Sequence, residues 1–184
     1  MRLFFALELP TEVRAALGGL RQTASKEYRW VDPALLHVTL AFLGQQPPER
    51  LTLLEQVGSA AAADAQAGLL ELGRAGSFGS RHEPRVLWIG LDGDVPALLA
   101  LQTRLATGLR RAGLALEERP FSAHITLARR RPGARSDVPP DWPPAHTPTK
   151  SAFAMDHLTL VESRLSPRGA TYFPLLEFPF GGSV

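Results

Sequence analysis

The sequence repeats one short pattern, and the repeat restricts the fold more than any other feature. A histidine, a β-branched residue, a threonine and a leucine occupy 37–40 and recur at 124–127. Both copies are rich in β-branched and apolar residues and therefore predict strands. Because residues i and i+2 of a strand share a face, each copy presents His and Thr on one face and two apolar residues on the other. The two polar faces together would form a site with two imidazoles and two hydroxyls.

The elements around the two copies are also repeated. A strand over 2–8 and a helix from 11 to about 26 precede the first histidine strand, 35–42. A strand over 84–91 and a helix from 94 to Gly113 precede the second histidine strand, 121–130. The repetition predicts a duplicated α+β unit, with the histidine strands related by a pseudo-two-fold axis and a cleft between them.

The other segments predict a helix that starts at 47–49 and continues to about 63, and a strand from 68 that bends at Gly73 or Gly76. A proline-rich loop spans 131–148. A strand over 153–162, a hairpin turn at 166–169 and a returning strand over 172–180 complete the chain.

Composition excludes several classes of protein. The chain of 184 residues is 45% apolar, and no apolar run reaches the length of a membrane span. Glu8 and Pro10 interrupt the first apolar run too early for a signal peptide, so we expect a strand there. The absence of cysteine excludes disulfides, thiol nucleophiles and cysteine-ligated zinc, and it is compatible with the cytoplasm, where we expect the protein. The net charge of +2 is too small for a protein that coats nucleic acid, although a local arginine patch could hold phosphates.

Two imidazoles and two hydroxyls suit acid–base chemistry on a phosphodiester. One neutral histidine can take a proton from water while a protonated one gives a proton to the leaving alkoxide. Threonine hydroxyls can donate hydrogen bonds to the phosphate oxygens. The sequence contains no metal-binding motif of the His-Glu-x-x-His type and no cysteine pair. We therefore expect neither a metal nor another cofactor.

The paired tetrapeptides resemble the signature of the 2H phosphoesterase superfamily. The flanking segments resemble those of the bacterial and archaeal RNA 2′,3′-cyclic phosphodiesterases, also called 2′-5′ RNA ligases. These segments include residues 2–7, 36–44, 84–88, 119–121, 124–129 and 160–163. The resemblance implies a bilobal α+β fold with two antiparallel sheets, helices on the outside and the active site between the lobes. On this basis residues 1–184 would form a single domain of two intertwined lobes.

The same resemblance implies hydrolysis of a terminal 2′,3′-cyclic phosphate of RNA to a 2′-phosphomonoester. By position, His37 would give a proton to the leaving 3′ oxygen, His124 would activate water, and Thr39 and Thr126 would hold the phosphate. The reverse reaction would join a 5′-hydroxyl to the cyclic phosphate in a 2′-5′ linkage. The partner would be an RNA with a cyclic phosphate end, such as a tRNA fragment or a short oligonucleotide, and we expect a monomer that does not bind membranes.

Other residues near the two copies are candidates for binding the phosphate or a base. Among Arg129, Arg130 and Arg131, we favour Arg130 for phosphate binding. It lies an even number of residues from His124 and Thr126 and would share their face in a regular strand. Phe42 and Phe121 could stack on a base, although we favour buried packing for each. A third copy of the tetrapeptide begins at His157, and we interpret it as a coincidence because it lacks a preceding strand–helix unit.

Two other functions are compatible with the sequence. The same chemistry could act on another small ester, such as a cyclic nucleotide, an ADP-ribose cyclic phosphate or a 2′-5′ oligonucleotide. A non-catalytic module that binds RNA ends could use the same cleft. A loss of activity on chelation and its return with added metal would contradict the two-histidine mechanism.

Overall fold

The structure is a computed structural model that describes residues 1–21, 26–80, 83–134, 142–144, 152–167 and 169–181. The described elements, apart from two short 3-10 helices (Pro33–Leu35 and Pro48–Arg50), are in chain order β1 (Arg2–Glu8), α1 (Thr11–Gly18), β2 (Tyr28–Trp30), β3 (His37–Gln45), α2 (Leu51–Ala63), β4 (Gly68–Ser80), β5 (Glu83–Gly93), α3 (Val95–Arg111), β6 (His124–Arg130), β7 (Phe153–Met155), β8 (His157–Ser166) and β9 (Gly169–Pro179).

The nine described strands pair antiparallel, and the α+β fold is confirmed. Their order across the sheet is β7-β4-β5-β6-β3-β1-β8-β9, and β2 pairs with β6 beside this path. The two predicted sheets are joined, because Val38 of β3 pairs with Ile125 of β6. The two halves of one nine-stranded sheet therefore meet between the two histidine strands.

The main core lies on one face of this sheet. Val38 and Leu40 of β3 and Ile125 and Leu127 of β6 are buried there, together with leucines of α2 and α3. A smaller buried cluster of Phe4, Ala6 and Val161, with Tyr172 packed against it, is separate from this core. Because Phe4 and Ala6 alternate with the core residues of β1, this second cluster lies on the opposite face.

Some predicted boundaries differ from the structure. Helix α1 ends at Gly18 rather than near residue 26, and residues 22–25 lie outside the described segments. The strand predicted from residue 68 continues to Ser80, with an irregular register between Leu72 and Ala75, near the predicted bend. The predicted strand over 153–162 consists of β7 and β8. In the loop over 131–148, the structure describes 131–134 and 142–144, and in the turn over 166–169 it leaves out residue 168.

In the part of the chain that the structure describes, none of the helices is both long enough and apolar enough to cross a membrane.

Candidate active site

The two histidine strands meet at the Val38–Ile125 pair. Antiparallel pairing about this point places His37 beside Thr126 and Thr39 beside His124 on one face of the sheet. The two histidines are then diagonal neighbours across the strand pair, for which the Cα atoms typically lie roughly 7–8 Å apart. A phosphate between the two rings could contact both. The structure therefore brings together the four residues that the two tetrapeptides predicted.

The two copies also have the same pattern of burial. In both β3 and β6, the first six residues from the histidine are in turn half-buried, buried, half-buried, buried, buried and exposed. The two consecutive buried residues are a leucine and an alanine, and at this leucine each strand shifts its register against its neighbour, β1 or β5. Such a shift is a β-bulge, and it reverses the alternation of faces beyond it.

The bulge changes which arginine lies on the face of the site. Val86 pairs with Arg129, and Trp88 pairs with Thr126, so Leu127 is the extra residue between these pairs. Thr126 and Arg129 therefore share a face, while Arg130 lies opposite the buried Tyr28. The prediction that Arg130 shares a face with His124 and Thr126 is wrong, because strict alternation does not hold across the bulge.

The corresponding bulge in β3 brings Phe42 to the same face. Phe42 pairs with Phe4, whose ring packs against His37 at a centroid distance of 4.9 Å. Phe42 is 42% exposed, and the Arg2 guanidinium carbon lies 4.8 Å from the centroid of its ring. Phe121, by contrast, precedes β6 and packs partly buried against the main core. Of the two predicted stacking residues, only Phe42 is exposed beside the histidines.

Hydrogen bonds orient both imidazoles in the same way. His37 Nδ1 lies 2.8 Å from the carbonyl oxygen of Leu35, and His124 Nδ1 lies 2.7 Å from that of Ser122. A carbonyl oxygen can only accept, so each Nδ1 carries a hydrogen and each Nε2 is left for proton transfer. His37 Nε2 lies 2.9 Å from Thr39 Oγ1, which donates to it while the imidazole is neutral.

The environment disfavours the charged form of both histidines. Burial is the largest effect on the pKa of His37 and lowers it. The positive charges of Arg129 and Arg14 and the neighbouring His124 lower this pKa further, whereas the hydrogen bond to the Leu35 carbonyl raises it. Burial also lowers the pKa of His124, as does Arg129, again against a backbone hydrogen bond. Both imidazoles are therefore predominantly neutral at pH 7 in the free protein.

Several residues beside the histidines were not predicted as part of a site. The Tyr172 ring lies 5.3 Å from the ring of His37, and the Phe78 ring lies 4.8 Å from that of His124. Burial raises the pKa of Tyr172, and the charge of Arg129, one of the three candidate arginines, lowers it. Trp88 lies opposite Thr126, and its ring lies 6.3 Å from that of His124. No local signal identifies these residues, because their positions depend on strand pairing across the sheet.

The third tetrapeptide does not form a comparable site. His157 Nδ1 lies 2.6 Å from Asp156 Oδ1, a carboxylate rather than a carbonyl. Thr159 is fully buried beside Ala6, and its hydroxyl has no hydrogen-bond partner among the residues that the structure describes. Among the described residues, no cluster of three or more histidine, aspartate or glutamate side chains could hold a metal ion.

Comparisons with known proteins agree with this geometry. A family model described as the 2′-5′ RNA ligase superfamily matches residues 9–166. The RNA 2′,3′-cyclic phosphodiesterase of Thermus thermophilus is 37% identical over 201 residues, which cover 99% of this chain and 91% of that protein. The enzyme of the same name from Geobacillus stearothermophilus is 31% identical over 185 residues, and the match covers 97% of this chain but 58% of that relative's length.

Solved structures with the same fold include two that match over nearly the whole chain. A crystal structure of a Thermus thermophilus protein superposes with a TM-score of 0.83 at 30% identity and covers 100% of both chains. Escherichia coli LigT in complex with 3′-AMP superposes with a TM-score of 0.79 at 29% identity and covers 97% of both chains.

Proposed function

This chain belongs to the 2′-5′ RNA ligase superfamily, and we propose that it hydrolyses the 2′,3′-cyclic phosphate at an RNA end to a 2′-phosphomonoester. The observation that carries the proposal is the meeting of two His-x-Thr faces at the Val38–Ile125 pair, with both Nδ1 atoms bound to carbonyl oxygens. The names of the Thermus and Geobacillus relatives support the RNA cyclic phosphate as substrate.

The two histidines divide the proton transfers between them. His124 Nε2 accepts a proton from the attacking water, a role that its lowered pKa supports because the imidazole is neutral at pH 7. His37 gives a proton to the leaving 3′ oxygen. The negative charge of a bound phosphodiester opposes the effect of Arg129 and favours the proton on His37.

The phosphate is held by hydroxyls and by positive charge. Thr39 and Thr126 donate hydrogen bonds to its oxygens, and these bonds strengthen as negative charge develops on them. Arg129 rather than Arg130 supplies the positive charge, since it affects the pKa of both histidines. Phe42 offers its exposed ring to the terminal base.

The proposed substrates are cyclic phosphate ends of tRNA fragments or short oligonucleotides, bound by a monomer that acts in the cytoplasm. The chain has no cysteine, which is compatible with that compartment. By microscopic reversibility, the same groups would join a 5′-hydroxyl to the cyclic phosphate in a 2′-5′ linkage.

The test is incubation with an oligonucleotide that ends in a 2′,3′-cyclic phosphate, followed by identification of the phosphate position by chromatography against 2′ and 3′ standards. We expect a 2′-phosphate product, with turnover retained in EDTA. His37→Ala and His124→Ala should each lower kcat by about 100-fold to 10,000-fold. The matched control is His157→Ala, which alters the third tetrapeptide and should retain normal turnover.

Three results would refute the proposal: no turnover of the cyclic end, activity that disappears with chelator and returns with metal, or a loss in His157→Ala that equals the loss in His124→Ala. A protein that binds the cyclic end without turnover would be an RNA-end-binding module instead.

A further inference from the structure

Aromatic rings pack against the imidazole of His37 on the face of the sheet opposite the main core. The ring of Phe4 lies 4.9 Å away with an interplanar angle of 35°, and the ring of Tyr172 lies 5.3 Å away at 83°. Phe4 and Tyr172 also contact one another at 5.1 Å and 68°. The three rings form a closed triangle in which each ring contacts the other two.

Tyr172 reaches this triangle from a distant part of the sheet. It lies on β9, and β1 and β8 separate that strand from β3. Ser163 pairs with Tyr172, and the next pair in the hairpin, Glu162 with Phe173, has its side chains on the other face, where Arg164 stacks over Phe173 at 4.3 Å. The β8–β9 hairpin thus places one aromatic residue against His37 and its chain neighbour away from the site.

The hydrogen bonds of His37 Nδ1 to the Leu35 carbonyl and of Nε2 to Thr39 Oγ1 hold the ring at two atoms and leave it able to tilt about the line that joins them. Rings packed on two further sides remove this freedom. His124 has the same kind of support, since Phe78 lies at 4.8 Å and 90° from its ring and Trp88 lies at 6.3 Å and 63°. Catalysis depends on such orientation, because a displacement of about 1 Å can cost 100-fold in rate.

We propose that Tyr172 is a positioning residue: its ring, packed edge-on against His37, holds Nε2 toward the phosphate, and Phe78 does the same for His124. This inference rests on the proposed function for its kinetic consequence, whereas its structural consequence is measurable on the protein alone. The aromatic ring of Tyr172 acts, rather than its hydroxyl.

The pKa of His37 depends on how its ring is packed and also on the charged groups near it. Glu8 of β1 pairs directly with His37 and lies 3.7 Å from Arg14 of α1. Arg129 and His124 of β6 also lower the pKa of His37. Replacing Tyr172 leaves these groups in place and admits water to the ring, so the pKa of His37 should rise toward its ordinary value of about 6.5.

The experiment compares Tyr172→Leu with Phe173→Leu, because these neighbours lie on opposite faces of one strand. The pKa of each histidine is measured by NMR titration of the imidazole Cε1–H resonances, and kcat and KM are measured on the cyclic-phosphate oligonucleotide. We expect Tyr172→Leu to raise the pKa of His37 and to lower kcat by about tenfold with KM nearly unchanged. Phe173→Leu should change neither, and Tyr172→Phe should retain wild-type values.

Phe78→Leu should raise the pKa of His124 and leave that of His37 unchanged. The inference is overturned if Tyr172→Leu leaves the titration of His37 unchanged, if Tyr172→Phe loses as much as Tyr172→Leu, or if Phe173→Leu has the same effect. If the wild-type protein does not turn over the oligonucleotide, the proposed function fails. The NMR titrations still decide whether Tyr172 and Phe78 hold the two rings.

Discussion

Arg129 and Arg130 are neighbours in the chain, but their surroundings differ. Arg129 pairs with Val86 and Arg29 and lowers the pKa of both histidines. Within the described segments, no carboxylate forms a salt bridge with Arg129. Arg130 lies opposite Tyr28, whose hydroxyl donates to the Pro84 carbonyl oxygen. Of these two neighbours, Arg129 is the one whose charge is available to an anion beside His37.

We therefore expect Arg129→Gln to raise KM for the cyclic-phosphate oligonucleotide by about tenfold, which corresponds to about 1.4 kcal/mol for one charge-assisted contact. Arg130→Gln is the matched control, with the same substitution on the opposite face, and should leave KM unchanged. Steady-state kinetics at constant ionic strength provides the measurement. Equal effects of the two substitutions would mean that the bulge does not determine which arginine serves the site.

The difference between these arginines shows where prediction from sequence stops. His37, Thr39, His124 and Thr126 share a face as predicted, because residues i and i+2 of a regular strand point the same way. Arg130 was misplaced because the bulge at Leu127 adds one residue before it. The chain does not mark that bulge, since Leu and Ala at 127 and 128 suit a regular buried strand as well as an irregular one.

At the scale of elements, β4 and β5 support the second histidine through a glycine. Gly76 of β4 pairs with Trp88 of β5, and a Cβ atom at Gly76 would lie well inside the van der Waals contact distance of the indole ring. Trp88 in turn packs on Phe78 at 5.2 Å and lies near His124. The indole therefore occupies the space that any side chain at position 76 would need.

We expect Gly76→Ala to displace Trp88 and to lower the free energy of unfolding by about 1–3 kcal/mol, as overpacking of a tight contact does. Gly90→Ala on β5 is the control, because a Cβ atom there would have its nearest neighbours at 3.4 Å, an ordinary contact. Urea denaturation monitored by tryptophan fluorescence gives both values. An unfolding free energy equal to that of the wild type in Gly76→Ala would show that Trp88 can move at no cost.

At the scale of the whole molecule, the duplicated pattern predicted two halves and a cleft, and the order of elements was close to correct. It did not predict that one residue pair, Val38 with Ile125, joins the halves into a single sheet. Nor did it predict that the β8–β9 hairpin brings Tyr172 to His37. Both features depend on contacts between residues that are far apart in the chain, and local periodicity carries no information about such contacts.

The same arrangement makes the stability of the whole protein depend on pH. The pKa values of His37 and His124 are lowered in the folded state, chiefly by burial, whereas in the unfolded chain they return to about 6.5. Above that pH neither state holds the protons, and the two histidines contribute no pH dependence. As the pH falls below about 6.5, the unfolded chain binds protons that the folded protein does not, so the free energy of unfolding decreases.

We expect the unfolding free energy, measured by urea denaturation from pH 7.5 to 5, to be level above about pH 6.5 and to decrease below it. The double variant His37→Gln/His124→Gln should lose most of this decrease, while His157→Gln should retain it. Inorganic phosphate, bound between the two rings, should also reduce the decrease, because its negative charge raises both pKa values in the folded state. A slope that is the same in the double variant would mean that the two imidazoles are not held neutral, and the acid–base assignment of His124 would lose its physical basis.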